Sequence, residues 1–250
     1  MMFKKKYILH SLIFMFFGTG VFAQEKLVLE DFEKQGVGAV DFNGWHVSDI
    51  KGEAKDIYSI VKEDNNLFLH ADSKKTAAAI FKIKGWSLKY RPVLSWRWRV
   101  HKHPKGAKPL SKPNNSAASV YVIFRKSLIP LRFETIKYVW AENEPVDGHV
   151  YKDGKNPQEL IVIRSGKEGM GEWITEERDV LADYQKYFKT DKVRSPMAFG
   201  ILTDSERIKK GHAIADYDDF VLLKEKSQPK KPTPKAEEKV VPTPDPVVTD

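Results

Sequence analysis

Moving a proton requires a titratable side chain held beside the groups that orient it. In this chain the strongest such set lies toward the C-terminal end, where Asp204, His212 and Asp216 supply an acid, a base and an orienting carboxylate. Gathered on one rim, they could act on a polysaccharide as a hydrolase or lyase. Asp204-Ser205 reads equally well as an ordinary turn or cap pair. His101 and His103 flank Lys102 and would share one face of an extended strand, as metal-binding histidines do, but no third ligand stands beside them. The stretch from Pro104 to Pro113 that follows them reads as loop. No G-x-S-x-G elbow, H-E-x-x-H pair or phosphate-binding glycine loop occurs. The chain has no cysteine, which excludes thiolate nucleophiles, disulfides and thiolate-bound metals.

A binding surface is a second possibility, and Leu94 to Val100 (LSWRWRV) is the segment that points to it. Side chains alternate across a strand, so Leu94, Trp96, Trp98 and Val100 share one face while Ser95, Arg97 and Arg99 share the other. On one reading the tryptophans fill a core and the arginines are solvated or paired with carboxylates. On the other, Arg97 and Arg99 floor a groove for an anionic or hydroxyl-rich ligand, which planar guanidinium groups suit. Tyr121, Tyr138 and Trp140 are the aromatic candidates for stacking on a sugar ring beside those arginines, and a packed core would consume the same residues.

These side chains need a scaffold, and the pattern from Glu25 to Glu225 is strand-like. Alternating or β-branched runs bounded by Gly, Pro, Asn and Asp cover Leu27 to Phe32, Tyr58 to Val61, Leu67 to Ala71, Ala77 to Phe81 and Val93 to Val100. Further runs cover Ala118 to Phe124, Thr135 to Trp140, Glu159 to Arg164, Met197 to Thr203 and Ala213 to Leu223. Many short strands separated by turn signals predict a mainly β protein, a two-sheet jelly-roll-like sandwich. One short helix is predicted over Val180 to Phe188, where Val180, Tyr184 and Phe188 recur at four-residue spacing.

The flanks carry an address. Lys4 to Lys6, the apolar run Tyr7 to Phe17 and Val21-Phe22-Ala23 form a signal peptide over residues 1–23, predicting cleavage after Ala23 and a periplasmic or secreted protein. That run is about half of the ~20 residues a membrane span needs, and no second one follows it. Residues 24–225 form the domain. Residues 226–250 form a Pro- and Lys-rich tail with too little apolar surface to fold; its partner is open. The formal charge is +8 and falls to +5 once the three leader lysines are removed. Acids are mixed among the bases throughout, which argues against nucleic acid and leaves an attraction to anionic envelope polymers.

Several segments together resemble the DUF3047 family of exported bacterial proteins of unknown function. They are LSWRWRV, Ala117 to Phe124 (AASVYVIF), Ile136 to Ala141 (IKYVWA), Ile163 to Gly166 (IRSG), Trp173 with Arg178-Asp179-Val180 and Asp183-Tyr184, and Gly200 to Ser205 with Ala215 to Phe220. Asn114 and Asn115 stand where that pattern has acids, which puts an acid-dependent role of their loop in doubt. The two ends of the domain, Leu29 to Glu33 with Gly44-Trp45 and Tyr217 to Val221, are similar to the opening and closing strands of galactose-binding-like and carbohydrate-binding jelly rolls. That likeness implies that first and last strands are neighbours. Glu30, Asp31 and Glu33 would then approach Asp218 and Asp219, a candidate structural calcium site, since calcium takes several oxygen ligands. The same acids could equally cap strand ends or pair with lysine. The expected function is non-catalytic binding of a carbohydrate or envelope polymer. A polysaccharide-acting enzyme and a protein-interaction scaffold are the alternatives.

Overall fold

The structure, a computed structural model, describes residues 25–128 and 131–227. The leader expected over 1–23 lies outside the described residues, as does the expected tail beyond Ser227. In chain order the strands are β1 (Leu27–Glu30), β2 (Gly38–Ala39), β3 (Trp45–Lys51), β4 (Tyr58–Glu63), β5 (Asn66–Lys74), β6 (Ala77–Ile83) and β7 (Val93–Lys102). They continue as β8 (Ser116–Leu128), β9 (Leu131–Ala141), β10 (His149–Lys152), β11 (Gln158–Ser165), β12 (Ile174–Asp179), β13 (Pro196–Asp204) and β14 (His212–Leu223). The helix α1 occupies Val180–Phe188, the predicted span, and the Asp179 carboxylate caps it by accepting the Ala182 N–H at 2.9 Å.

Two seven-stranded sheets pack face to face. The first runs β12-β7-β14-β5-β4-β2, with β1 paired to the far end of β14; the second runs β10-β11-β9-β8-β13-β6-β3. The chain alternates between sheets through β5, β6, β7 and β8 and again through β12, β13 and β14, so the sandwich is jelly-roll-like. Pairing is antiparallel except between β9 and β11. The first and last strands are neighbours, Leu27 facing Leu222 and Val28 facing Val221. Each predicted strand is present. The short or polar strands β2, β3, β10 and β12 escaped the sequence pattern; in β3 only Trp45 is buried, so no apolar alternation marks it.

The core lies between the sheets and is dominated by aromatic rings. Trp96 on β7 stacks on Tyr138 of β9 with centroids 5.6 Å apart, and Trp98 meets Trp140 at 5.9 Å. Buried tyrosine hydroxyls need partners, and here they tie the sheets together. Tyr58 of β4 donates to the Ala78 carbonyl of β6 at 2.7 Å, and the Tyr217 hydroxyl of β14 lies 2.8 Å from Thr203 Oγ1 on β13. Among the described residues no helix is long and apolar enough to cross a membrane.

Trp98→Ala empties a site that touches both sheets. It is expected to cost about 3–5 kcal/mol of unfolding free energy, read as a lower urea midpoint at unchanged slope; a loss below about 1 kcal/mol would contradict this packing.

Candidate functional site

Alternation along β7 sends Arg97 and Arg99 to the outer face of the first sheet, where β14 and β5 present polar side chains in register. Arg97 lies opposite Asp218, and Asp216 lies opposite both Arg99 and His70. Arg97 donates to Asp218 Oδ2 at 2.5 Å and to Asn66 Oδ1 at 2.8 Å, and its Nε lies 2.9 Å from Asp219. Arg99 donates to Asp216 at 2.8 Å and reaches Glu63 at 3.1 Å. The Trp173 ring caps both guanidinium groups, 4.8 Å and 4.6 Å from its centroid. Both arginines are therefore already committed to carboxylates under an aromatic cover.

Asp216 is the hub of this face. It accepts hydrogen bonds from His70 Nδ1 and His101 Nε2, each at 2.6 Å, besides that from Arg99. Burial alone would raise its pKa, but the hydrogen bonds from His101, His70 and Arg99 outweigh that and hold it at about 2.

The structure does not bring Asp204, His212 and Asp216 together as one acid-base set. Asp204, at the end of β13 in the second sheet, accepts from Asn115 and from the Glu206 N–H, and burial pushes its pKa up. His212, on β14, donates to Asp72 at 2.7 Å and accepts from Lys102 at 2.9 Å. His101 and His103 do not share a ligand either: His103 Nε2 lies 3.2 Å from the Gly166 carbonyl. The acids at the domain ends adjoin as strands but turn to separate partners. Glu30 pairs with Lys82, Asp31 accepts from the Glu33 N–H, and Glu33 accepts from the Leu67 N–H. Asp218 and Asp219 face Arg97. Among the described residues no three His, Asp or Glu side chains gather as metal ligands. Tyr138 and Trp140 are wholly buried in the core and reach neither outer face.

Tyr121 lies elsewhere. It lines an open groove of about 590 Å³ across the outer face of the second sheet, reaching from β3 over β6, β13, β8 and β9 to the start of β11. The sheet register lays out its floor. Phe81, Gly200, Tyr121 and Lys137 follow one another across β6, β13, β8 and β9. The next row is Ile83, Ala198, Ile123, Thr135 and Gln158. A glycine inside a strand marks a close approach. A Cβ on Gly200 would sit 2.3 Å from Phe81 Cδ1, so the missing side chain is what lets that ring lie across the strand. Phe81 then meets Tyr121 edge-on at 5.8 Å. Phe133, Asn156, Gln158 and Thr135 line one end, His46 and Ser48 the other. The Phe133 N–H donates to Asn156 Oδ1 at 3.0 Å and so orients that amide. No carboxylate lines the groove among the described residues.

Lys137 stands at the margin of this groove. It is only 3% exposed, its ammonium lies 5.3 Å from the Tyr121 ring centroid, and it forms no ion pair among the described residues. Burial pulls its pKa down to about 8, with Asp204 opposing and Lys152 assisting.

A family model described as "Protein of unknown function (DUF3047)" matches residues 43–221. The chain belongs to the DUF3047 family. The region of DUF3047 matched here runs from just before β3 into β14 and includes both outer faces. No curated protein matches the sequence. Among solved structures, the family 11 carbohydrate-binding module of the cellulase Lic26A-Cel5E of Clostridium thermocellum is 12% identical, with TM-score 0.40 over 81% of this chain and 96% of that one. A metagenome-derived glycoside hydrolase family 12 endoglucanase is 14% identical, with TM-score 0.41 over 80% and 98% of the two chains. A family 12 xyloglucanase from Bacillus licheniformis is 9% identical, with TM-score 0.38 over 80% and 100%.

Sequence reasoning reached Tyr121 but missed Phe81, Phe133, Asn156, Gln158 and Lys137. Gly200, inside the run Met197 to Thr203, was the signal that could have led to Phe81.

The Asp216 carboxyl, held below its unfolded value of about 3.9, contributes stability that is present above about pH 4 and lost as pH falls toward 2. Asp216→Asn is expected to remove about 2 kcal/mol at neutral pH and to flatten that acid limb. Chemical unfolding across this pH range checks it, and an unchanged limb would contradict the assignment.

Proposed function

We propose that this domain binds a saccharide chain in the groove of the second sheet without cleaving it. The carrying observation is the lining itself. Phe81, Tyr121 and Phe133 offer aromatic surface for the apolar faces of sugar rings, and Thr135, Asn156 and Gln158 place hydroxyl and amide groups beside them. Ligand sites combine an apolar floor with a few oriented polar groups in this way, and the volume lies within the usual range. The groove is open along its length, which suits a polymer.

Binding is favoured over hydrolysis because glycosidic cleavage commonly uses two carboxyl groups flanking the scissile bond, one as acid and one as base or nucleophile. The groove lining offers neither. The first-sheet face supports the reading less well, since an anionic or hydroxyl-rich ligand would have to displace carboxylates from Arg97 and Arg99 and move Trp173 aside. The leader read over residues 1–23 fits a protein that meets its polymer outside the cytoplasm.

Affinity electrophoresis of the full chain through a panel of soluble polysaccharides is the test. Phe81→Ala and Tyr121→Ala should each weaken binding roughly ten- to a hundredfold, about 1.4–2.8 kcal/mol. Arg97→Ala should leave affinity within about twofold while lowering stability, because Asp218 then loses its charged partner. Retardation by no polysaccharide, or retardation insensitive to both aromatic variants, would overturn the proposal.

A further inference from the structure

Charge distribution around the groove carries the reading one step further. The lining holds no carboxylate among the described residues, while Tyr121 in its floor faces Lys137 across β8 and β9 and Gln158 at one end faces Lys152 across β10 and β11. Burying an ammonium without a counter-ion is costly, and such groups are ordinarily paired. Lys137 is buried, approaches the π-face of Tyr121 and has no ion-paired carboxylate among the described residues. Asp204 is the acid that acts on it through space, but Asp204 is itself hydrogen-bonded to Asn115.

We infer that the saccharide bound in the groove is acidic, bearing carboxylate groups on its sugar rings, and that Lys137 selects for that charge. The inference rests on the saccharide reading above. A sugar ring packed against Tyr121 beside Lys137 would bring a ring carboxylate to the ammonium that lies over the same aromatic ring, and the charge-assisted contact would supply the partner that the fold leaves out. Lys152 would reinforce the same preference at the neighbouring row. A neutral polymer could occupy the same aromatic floor but would leave Lys137 as it is.

The titration of Lys137 offers an independent readout. The groups that face it are Tyr121 from β8, Asp204 from β13 and Lys152 from β10. Burial holds the Tyr121 hydroxyl well above its ordinary range, so this ring stays neutral as Lys137 titrates. With its pKa lowered to about 8, Lys137 is charged below that pH and neutral above it. Attraction for an anionic ligand is therefore present at pH 7 and fades as pH rises through that value.

The experiment compares a panel of uronic-acid polymers, such as polygalacturonate and alginate, with their fully methyl-esterified forms, which keep the backbone and remove the charge. The full chain should bind the acid forms at least tenfold more tightly than the esters at pH 7, with the preference shrinking by pH 9.5. Lys137→Met should reduce the ratio of acid-form to ester-form affinity to within about twofold. Equal binding of acid and ester by the unaltered protein would overturn this inference and leave the saccharide reading standing. A preference that survives Lys137→Met, or that holds constant from pH 7 to pH 9.5, would overturn the role of Lys137. Should the variant fail to fold, the pH profile of the unaltered protein decides. Binding of neither form of any polymer would bring down the saccharide reading and this inference with it.

Discussion

The contact of Trp96 and Trp98 on β7 with Tyr138 and Trp140 on β9 is the constraint on which both outer faces depend. These rings must stay between the sheets, because little else in the domain buries as much apolar surface per residue. Side chains alternate along a strand, so once the rings point inward their neighbours have no choice. Arg97 and Arg99 go to the outside of one sheet. Thr135 and Lys137 go to the outside of the other. A register slip by one residue in either strand would exchange core and surface, and neither face would exist in its present form.

The two faces answer the same demand differently. On the first sheet every charge named above finds an opposite charge: Arg97 with Asp218 and Asp219, Arg99 with Asp216 and Glu63. The Asp216 carboxylate collects two imidazoles and a guanidinium and stays ionised in spite of its burial. Such a face gives rigidity and pH-dependent stability. On the second sheet the aromatic rings of Phe81 and Tyr121 stay partly exposed, and Lys137 is buried against one of them without an acid within ion-pair distance among the described residues. This difference in charge pairing sets the groove proposed for saccharide on the second sheet apart from the first face.

The sandwich, its jelly-roll-like wiring and the bounds of α1 were legible because they follow from local periodicity, which a single chain displays. The alternation in LSWRWRV correctly divided tryptophans from arginines. What it could not display is which partner crosses the gap. Nothing in the sequence places Asp218 beside Arg97 or Trp173 above both arginines, since those contacts join β14, β7 and the loop before β12. Tyr138 and Trp140 share parity with each other but lie opposite in parity to Lys137; both sets are buried, and only the ring contacts with β7 show which of them lies between the sheets. The acids of β1 and β14 became neighbours, as the similarity of the domain ends implied, yet their side chains diverge to Lys82, backbone amides and Arg97. Adjacent strands do not by themselves make a ligand set.

The most direct test of the account is hydroxyl-radical footprinting of the full chain with and without the best-retained polysaccharide. The groove reading predicts protection of Phe81, Tyr121 and Phe133 on binding, with Trp173 oxidised at an unchanged rate. Protection of Trp173 with no change in the groove residues would place the ligand on the arginine face and contradict the central claim.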